Sequence, residues 1–227
     1  DIHTGGIDLI PTHHENEIAQ SKGMCGKIPA NYWMHGEFLL INGGKMSKSL
    51  GNVYLLQDIV DRGYDPLVYK LFCYSIQYRK KLNFTWEGMD SAKIALDRLR
   101  EAYQKHLTGT EDVAEELISK YEKDFNEAIN DDLNMPVAMS VVWEVAKRTE
   151  KSKKVAELLK KFDRVLGIKI DEHKEEEIPD DIKELLTKRV EARKNKDWAE
   201  SDKIRDIIKE KGYIVKDSKE GQTVEKC

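Results

Sequence analysis

Between residues 59 and 168 the sequence carries apolar residues at steps of three and four, a spacing compatible with few folds. Residues so spaced lie on one face of an α-helix, and each such face has to be buried. Asn134 and Pro136 predict the start of one helix, and Gly167 predicts the end of another. Four helices joined by short links predict a bundle. The apolar stripes are Ala92, Leu96, Leu99 and Tyr103, then Leu117, Tyr121, Phe125 and Ile129, then Val155, Leu158, Leu159, Phe162 and Leu166.

The rest of the chain divides by composition. Residues 1–56 hold most of the glycines and histidines, and residues 57–88 connect them to the bundle at 89–170. Residues 171–181 are an acidic run with a proline, which predicts a solvated linker. Residues 182–227 then predict a small terminal domain.

In the terminal domain, a helix is predicted over residues 182–194. Asp197 and Glu200 have the spacing of a capping box and predict the start of a second helix. A short strand is predicted over residues 213–215 and a turn over 217–221. The domain is therefore expected to mix α and β structure.

Charge and cysteine content exclude several classes of protein. The formal net charge is -4, which argues against a broad cationic surface but does not exclude a local RNA-binding patch. No apolar run approaches the roughly 20 residues of a membrane span. Three widely spaced cysteines favour a reducing cytosol over a disulfide framework.

Because the chain opens on Asp1 rather than Met, we expect it to be part of a longer protein.

A basic loop is predicted at residues 45–49, after two glycines. Two ammonium groups on long stems can close over a polyphosphate and neutralise the charge of a departing pyrophosphate. The glycines allow the backbone to hinge. A generic lysine pair is more often a solvated turn; five specified residues in this order favour the phosphate loop. They are Lys45, Met46, Ser47, Lys48 and Ser49, followed by Leu50, Gly51 and Asn52.

His13 and Glu17 are a candidate pair of metal ligands. Four residues apart on a helix, they share one face, where an imidazole and a carboxylate can bind one zinc ion. On that helix His14 and Glu15 point elsewhere, and Cys25 is expected beyond the helix end as a small buried side chain. The alternative is a helix N-terminus whose acidic residues complement the helix dipole. Two ligands fill only half of a tetrahedral zinc site.

Several stretches resemble the cysteinyl-tRNA synthetases, a family of class I aminoacyl-tRNA synthetases. They read DIHTGGIDL at 1–9, HHENEIAQ at 13–20 and YWMH at 32–35. The KMSKS sequence at 45–49 is the signature loop of the class. The resemblance implies that His13 and Glu17 bind zinc together with two cysteines that this chain lacks. The HIGH signature of the class is also absent from the sequence.

The resemblance implies an α/β plus all-α architecture. Residues 1–56 would be the C-terminal part of a Rossmann-type class I catalytic fold, followed at 57–88 by stem-contact and connective helices. Residues 89–170 would be a DALR-like helical bundle, in which DDLNMP at 131–136 is a structural turn. After the acidic linker, residues 182–227 would be an α+β anticodon-binding domain.

The resemblance also implies roles for residues of the catalytic part. Lys48, with Lys45, would contact ATP, and His3 would face the cysteine or the adenylate. Gly5 and Gly6 would let the backbone approach the adenylate, and Asp8 would accept hydrogen bonds from it. Considered alone, His3 would more often be a packed histidine at a strand end. Nucleotide binding would also involve the loop residues Met46, Ser47 and Ser49.

In the terminal domain, the resemblance implies that Trp198 stacks on an anticodon base while charged residues contact base edges or phosphates. The alternative is that Trp198 packs in a small core and that the charges form surface pairs. One departure from the family is Val224, where a tryptophan is usual. Another is Thr12, where the family usually has proline. The charged residues are Arg193, Asp202, Arg205 and Asp217.

The implied function is ligation of L-cysteine to tRNA(Cys) through a cysteinyl-adenylate, with Zn²⁺, ATP and Mg²⁺, by a cytoplasmic monomer without membrane contact. The chain alone is expected to be inactive and to bind zinc weakly or not at all. One alternative is the related mycothiol-pathway ligase, which has no anticodon to read. Another is a tRNA-binding module without catalysis, which the intact KMSKS loop argues against.

Overall fold

The computed structural model describes residues 1–172, 179–195, 197–218 and 221–226. It divides into two compact units, residues 1–173 and 174–227. Most of the predicted acidic linker, residues 173–178, lies outside the described residues. No helix in the described part of the chain is long and apolar enough to cross a membrane.

The first unit opens with two parallel strands and a helix. β1 (Ile2–Gly6) pairs with β2 (Tyr32–Gly36), and between them lie a 3₁₀ turn, a π-helical turn (Ile10–His14) and α1 (Glu15–Cys25). Parallel strands need a long crossover, and α1 provides it. The carboxyl ends of both strands therefore lie at the same edge of the sheet.

A second sheet follows directly. β3 (Leu39–Ile41) pairs antiparallel with the short β4 (Gly44–Lys45) and parallel with β5 (Leu82–Phe84). The turn between β3 and β4 places Asn42 and Gly43 at positive φ, of 49° and 77°. The basic loop predicted at residues 45–49, called the lysine–serine loop from here on, follows this hairpin directly. Between the loop and β5 lie α2 (Leu56–Asp61) and α3 (Pro66–Cys73).

The predicted helices form a bundle, and their apolar stripes lie in one core. Phe125 and Phe162 stack across it, with ring centroids 4.1 Å apart. As predicted, Asn134 lies at the N-cap with Pro136 in the first turn, and Gly167 ends the last helix in a left-handed conformation. The helices are α4 (Trp86–Leu107), α5 (Glu115–Asn130), α6 (Met135–Ala146) and α7 (Lys153–Leu166).

Buried polar side chains form hydrogen bonds with the backbone of the segment that follows α7. The Asp163 carboxylate accepts hydrogen bonds from the backbone N–H of Ile168 at 2.9 Å and of Ile170 at 3.1 Å. Arg100, on α4, donates to the carbonyl oxygens of Ile168 and Lys169. Since buried backbone groups need partners, these side chains fix the path of the chain after the bundle.

His106 is fully buried beneath the end of α6. Its Nε2 lies 3.1 Å from the Ala146 carbonyl oxygen, and its Nδ1 accepts from the Ser152 backbone N–H. Burial lowers the pKa of His106 below 6.5, and the nearby charges of Lys151 and Arg148 act in the same direction, against the Ala146 hydrogen bond. The folded protein therefore holds this imidazole neutral.

The free energy of unfolding is expected to fall as the pH drops below 6.5, the ordinary His106 pKa. The unfolded chain takes up the proton first, so each pH unit costs up to about 1.4 kcal/mol until the folded pKa is reached. Urea unfolding at pH 7.5, 6.0 and 5.0 measures the slope. His106→Gln should make this slope shallower, and an unchanged slope in the variant would contradict the assignment.

The second unit packs two helices against a hairpin. Asp197 caps α9, its carboxylate accepting from the Glu200 backbone N–H at 3.1 Å, as predicted. A small core of Ile204, Ile208 and Val215 lies beneath it, with Val224 packed alongside. The elements are α8 (Asp180–Lys194), α9 (Trp198–Glu210), β6 (Tyr213–Ser218) and β7 (Gly221–Lys226).

The turn predicted over residues 217–221 is wrong in its bounds. The strand continues through Ser218, because Asp217 pairs with Gln222 and Ser218 with Gly221 in an antiparallel hairpin. Gln222 is also tied to α8, since it accepts a hydrogen bond from Arg189 and donates one to the Leu186 carbonyl oxygen. These side-chain bonds hold the hairpin against the helix.

Candidate functional site

Histidines gather on one face of the first parallel sheet. The pairing of β1 with β2 sets His3 opposite Trp33 and Gly5 opposite His35. Alternate strand residues share a face, so all four lie on the same side. The His3 and Trp33 rings meet edge to face, with centroids 4.8 Å apart.

His14 completes the cluster from the π-helical turn. It is buried, with its ring centroid 4.7 Å from that of His3 and 5.0 Å from those of Trp33 and His35. The expectation that His14 points elsewhere is wrong. A regular helix was expected through residues 13–20, whereas α1 begins only at Glu15. The wider π-helical turn before it directs His14 inward.

The Glu17 carboxylate lies between two histidines. One oxygen, Oε2, lies 2.7 Å from His3 Nε2, and the other, Oε1, lies 3.8 Å from His13 Nε2. The hydrogen bond with His3 lowers the pKa of Glu17, so the group is a carboxylate at neutral pH. His13 and Glu17 thus share a helix face as predicted, and His3 joins them.

His14 and His35 share a hydrogen bond, with Nδ1 and Nε2 2.8 Å apart. Burial lowers the pKa of His14, and the neighbouring His3 and His35 rings lower it further. The His14 ring is therefore neutral and fixed in orientation. A neutral imidazole has a free lone pair, which is the form that binds metal ions.

Glycine is required at position 5 by close packing. A Cβ atom there would lie 2.7 Å from Leu9 Cδ1 and 2.8 Å from His14 Cε1, closer than carbon atoms approach. Gly5 therefore lets His14 reach the strand. A Cβ atom at Gly6 would collide with the carboxylate of Asp8, an exposed residue in the 3₁₀ turn after β1.

The cluster fits a zinc-type donor set. One donor atom each from His3, His14 and Glu17 lies within 4.8 Å of the others. The 3.8 Å between His13 and Glu17 is also close to the roughly 3.4 Å that separates two ligands of a tetrahedral zinc ion. Cys25 was expected past the helix end and buried. It is instead the exposed last residue of α1, and its thiol donates a hydrogen bond to the Ser21 carbonyl oxygen.

Asn52 closes the lysine–serine loop. Its Oδ1 accepts from the Ser47 backbone N–H at 2.8 Å, and its Nδ2 donates to the Lys45 carbonyl oxygen at 3.0 Å. Met46 packs into the apolar core beneath, while the Ser47 and Ser49 hydroxyls share a hydrogen bond. The loop is therefore shaped before any ligand binds.

Lys45 and Lys48 are exposed, and neither forms an ion pair with a described residue. Lys48 begins a 3₁₀ turn that ends at Gly51, whose φ is 64°. Asn83 accepts a hydrogen bond from the Gly43 backbone N–H at 2.6 Å and so anchors the other end of the hairpin. Two cations without an ion-pair partner in the described part of the chain, on a loop held by hydrogen bonds, are suited to an anionic ligand.

In the second unit, one face of α9 carries Trp198, Asp202 and Arg205. Trp198 is 58% exposed and lies outside the small core, so the alternative that it packs there is wrong. Asp202 and Arg205 are exposed and form no ion pair with a described residue. Arg193 is half-buried in the last turn of α8. Asp217 lies in β6, and the structure describes its backbone only.

Three family profiles match successive parts of the chain. The profile described as tRNA synthetases class I (C) catalytic domain matches residues 1–94, and that described as DALR domain matches residues 124–171. The profile described as cysteinyl-tRNA ligase anticodon binding domain matches residues 175–224. Together they follow the order of the elements along the chain.

Known proteins agree with these profiles. The chain is 40% identical over 225 residues to cysteine–tRNA ligase 1 of Burkholderia lata, covering 98% of the chain and 47% of that protein. It is 41% identical over 242 residues to cysteine–tRNA ligase of Bacillus cereus, covering 97% and 51%. This chain belongs to the cysteine–tRNA ligase family. It spans about half the length of these relatives.

A solved structure shares the fold of this cysteine–tRNA ligase family member at low sequence identity. It is a leucyl-tRNA synthetase of Agrobacterium radiobacter in a ternary complex with tRNA and LeuAMS. The superposition has a TM-score of 0.58 at 16% identity and covers 74% of this chain and 26% of that one. This likeness concerns the fold, while the profiles at residues 1–94 and 124–171 assign class I catalytic and DALR domains to the first unit.

Several residues that shape the site of this family member were not predicted from the sequence. His14 and His35 were given no role, because their contact depends on the strand register and on the π-helical turn. Asn52 was noted only as part of the motif, although it bonds to both Lys45 and Ser47. The alternation of YWMH does predict that Trp33 and His35 share one face of their strand, but not the register that sets His35 opposite Gly5.

Proposed function

We propose that this chain carries part of the active site and the tRNA-binding regions of an enzyme that ligates L-cysteine to tRNA(Cys). The reaction runs through a cysteinyl-adenylate and consumes ATP. The observation that carries the proposal is the pre-shaped loop, in which Asn52 bonds to the backbone of Lys45 and Ser47, on a chain 40% identical to a cysteine–tRNA ligase.

In the first step, the carboxylate of cysteine attacks the α-phosphorus of ATP and pyrophosphate leaves. Lys48 and Lys45 neutralise the charge that develops on the pyrophosphate, and Mg²⁺, when bound with ATP, would supply further positive charge. The exposed ammonium groups need no rearrangement to meet a ligand, since no described carboxylate holds them. Ser47, Ser49 and Met46 contact the nucleotide, and Gly5, Gly6 and Asp8 face the adenylate from the end of β1.

His13 and Glu17 would hold a zinc ion together with ligands from outside this chain. Their separation of 3.8 Å and their shared helix face support this role. The ion would bind the substrate thiolate and so distinguish cysteine from serine, whose hydroxyl is a poor zinc ligand. His3, bonded to the second Glu17 oxygen at 2.7 Å, orients that carboxylate.

In the second step, a hydroxyl of the tRNA 3′-terminal adenosine takes the cysteinyl group and AMP leaves. The second unit would recognise the anticodon. Trp198 stacks on a base, and Asp202, Arg205, Arg193 and Asp217 contact base edges or phosphate. The exposure of Trp198 supports this assignment, because a wholly structural tryptophan would be buried.

Further assignments complete the proposal. Residues 1–56 belong to a Rossmann-type catalytic fold, 57–88 to the stem-contact region, 89–170 to the helical bundle and 182–227 to the anticodon-binding domain. Residues 171–181 connect the last two. The enzyme works in the cytoplasm as a monomer.

Trp198→Ala is expected to weaken binding of tRNA(Cys) transcripts about tenfold or more and to remove the preference for the cysteine anticodon. Loss of one base–aromatic stack costs about 1–3 kcal/mol. Filter binding with wild-type and anticodon-substituted transcripts measures both effects.

Val190→Ala is a matched control for this test, because Val190 is a partly exposed apolar residue of the same unit. It should leave affinity and preference unchanged. An anticodon preference that survives Trp198→Ala would contradict the assignment. Binding without any anticodon preference in the unaltered chain would favour a general tRNA-binding module.

A further inference from the structure

We propose that Asp132 is a positioning residue for the lysine–serine loop. It lies in the turn between α5 and α6, which was expected to have a structural role only, and it forms hydrogen bonds with residues 77–79. These begin a connecting segment, residues 77–84, which ends in β5 and so pairs with β3, the first strand of the hairpin before the loop. That the loop meets ATP rests on the proposed function, whereas its positioning by Asp132 does not.

Donors from three consecutive residues of the connecting segment converge on Asp132. The Tyr78 hydroxyl donates to Oδ1 at 2.6 Å, and the Arg79 guanidinium donates to both carboxylate oxygens, at 2.5 and 3.2 Å. The Gln77 amide donates to the Asp132 backbone carbonyl oxygen at 3.2 Å. The bonds from Arg79 and Tyr78 lower the pKa of Asp132, so the group stays a carboxylate. A charged acceptor with a bidentate guanidinium donor forms a strong and directional contact.

The backbone at Asp132 has an uncommon conformation. Asp132 and Leu133 both have a φ of 52°, in the left-handed region that residues other than glycine rarely adopt. Aspartate tolerates this region better than leucine does. Such conformations persist where the surrounding contacts determine them. Here they allow the turn to present the Asp132 carboxylate to the connecting segment.

Packing alone does not fix the connecting segment against the bundle. A cavity of about 400 Å³, open to solvent, lies between them. Tyr78 and Leu82 line it from the segment, and Leu133 and Met135 line it from the bundle. A gap of this size leaves these side chains without the close neighbours that would resist a shift. The hydrogen bonds to Asp132 therefore carry most of the restraint at this junction.

From Asp132 the contacts continue toward the lysine–serine loop. The Tyr78 carbonyl oxygen accepts from the Glu37 backbone N–H at 2.8 Å, directly after β2. Further along the segment, β5 pairs with β3, and Asn83 accepts from the Gly43 N–H in the turn before the loop. A shift of the connecting segment would move the end of β2 and the hairpin together. Under the proposed function, this route links the helical bundle to the lysines that meet ATP.

Hydrogen exchange of single amides in the full chain, followed by NMR, tests the proposal because it measures local opening. Asp132→Gly removes the carboxylate and suits the left-handed backbone, so it loses the contact without adding strain. The Glu37 and Gly43 amides should then exchange at least about fivefold faster, as expected when a bidentate charged contact is lost. Low concentrations of urea should not change these two rates, because urea accelerates exchange that needs extensive unfolding.

Two further variants complete the test. Arg79→Ala removes the guanidinium and leaves the turn unaltered. It should reproduce the acceleration, and it serves if Asp132→Gly does not fold. Asp131→Ala is the matched control, because Asp131 lies in the same turn and accepts from Asn134, at 3.2 Å. It should change both rates less than about twofold, as for a surface substitution.

Three outcomes would overturn the proposal. An unchanged Gly43 rate in both Asp132→Gly and Arg79→Ala would show that the contact does not reach the hairpin. Rates that rise with urea in step with those of buried core amides would show that Asp132 only adds stability. An equal acceleration in Asp131→Ala would assign the effect to the turn as a whole. None of these measurements involves ATP or tRNA, so the result is independent of the proposed function.

Discussion

Replacing Asp163 by alanine is expected to lower the free energy of unfolding of the first unit by about 3 kcal/mol, because two buried donors lose their partner. The carboxylate accepts from the backbone N–H groups of Ile168 and Ile170, which are at most 1% exposed. Each unpaired group costs about 1–3 kcal/mol. Differential scanning fluorimetry should show a fall in Tm of about 6–12 °C for a unit of this size.

Two variants control for this effect. Asp97→Ala removes an exposed carboxylate of α4 whose one ion pair among the described residues is with Lys93, at 3.7 Å, and should change stability by less than about 0.5 kcal/mol. Asp163→Asn keeps one acceptor oxygen. Its loss of stability should therefore lie between those of Asp163→Ala and Asp97→Ala. A loss in Asp163→Ala no larger than in Asp97→Ala would show that water or local rearrangement satisfies the buried donors.

The helical part of the fold could be predicted from sequence because its causes are local. The stripe from Leu117 to Ile129 has the period of a helix, and the residues that end the helices are short-range signals. The second unit was predictable for the same reason up to its hairpin. There β6 runs three residues further than the predicted strand, in a hairpin whose Gln222 bonds to Arg189 and Leu186, which are distant in sequence.

The histidine cluster could be predicted only in part. His13 and Glu17 are four residues apart, so helical spacing predicts that they lie close together, and they do so although His13 belongs to the π-helical turn before α1. The contacts of His14 require both the π-helical turn and the register that brings His35 beside Gly5. Neither is encoded by a local period. The sequence alone therefore indicated His13 and Glu17 as donors. It placed His14 on the wrong side of the helix, away from them.

The 227-residue chain alone is expected to give no cysteine-dependent exchange of pyrophosphate with ATP. The sequence contains no HIGH signature to complement Lys45 and Lys48 at the phosphates. Among the described residues, no cysteine belongs to the group of possible metal ligands that contains Glu17; Cys25 is exposed at the end of α1 and Cys73 lies on α3. Catalysis of this kind requires that both ends of ATP be positioned at once. A site that lacks the residues for one end is therefore expected to be inactive.

Exchange of labelled pyrophosphate into ATP, with and without cysteine, measures this directly. The same preparation should still bind tRNA(Cys) transcripts, because Trp198 and its neighbours belong to a unit with its own core. This retained binding separates an incomplete active site from a misfolded chain. Cysteine-dependent exchange that disappears in Lys48→Ala would show that the lysine loop and the histidine cluster form a sufficient site, and the requirement for further residues would then be wrong.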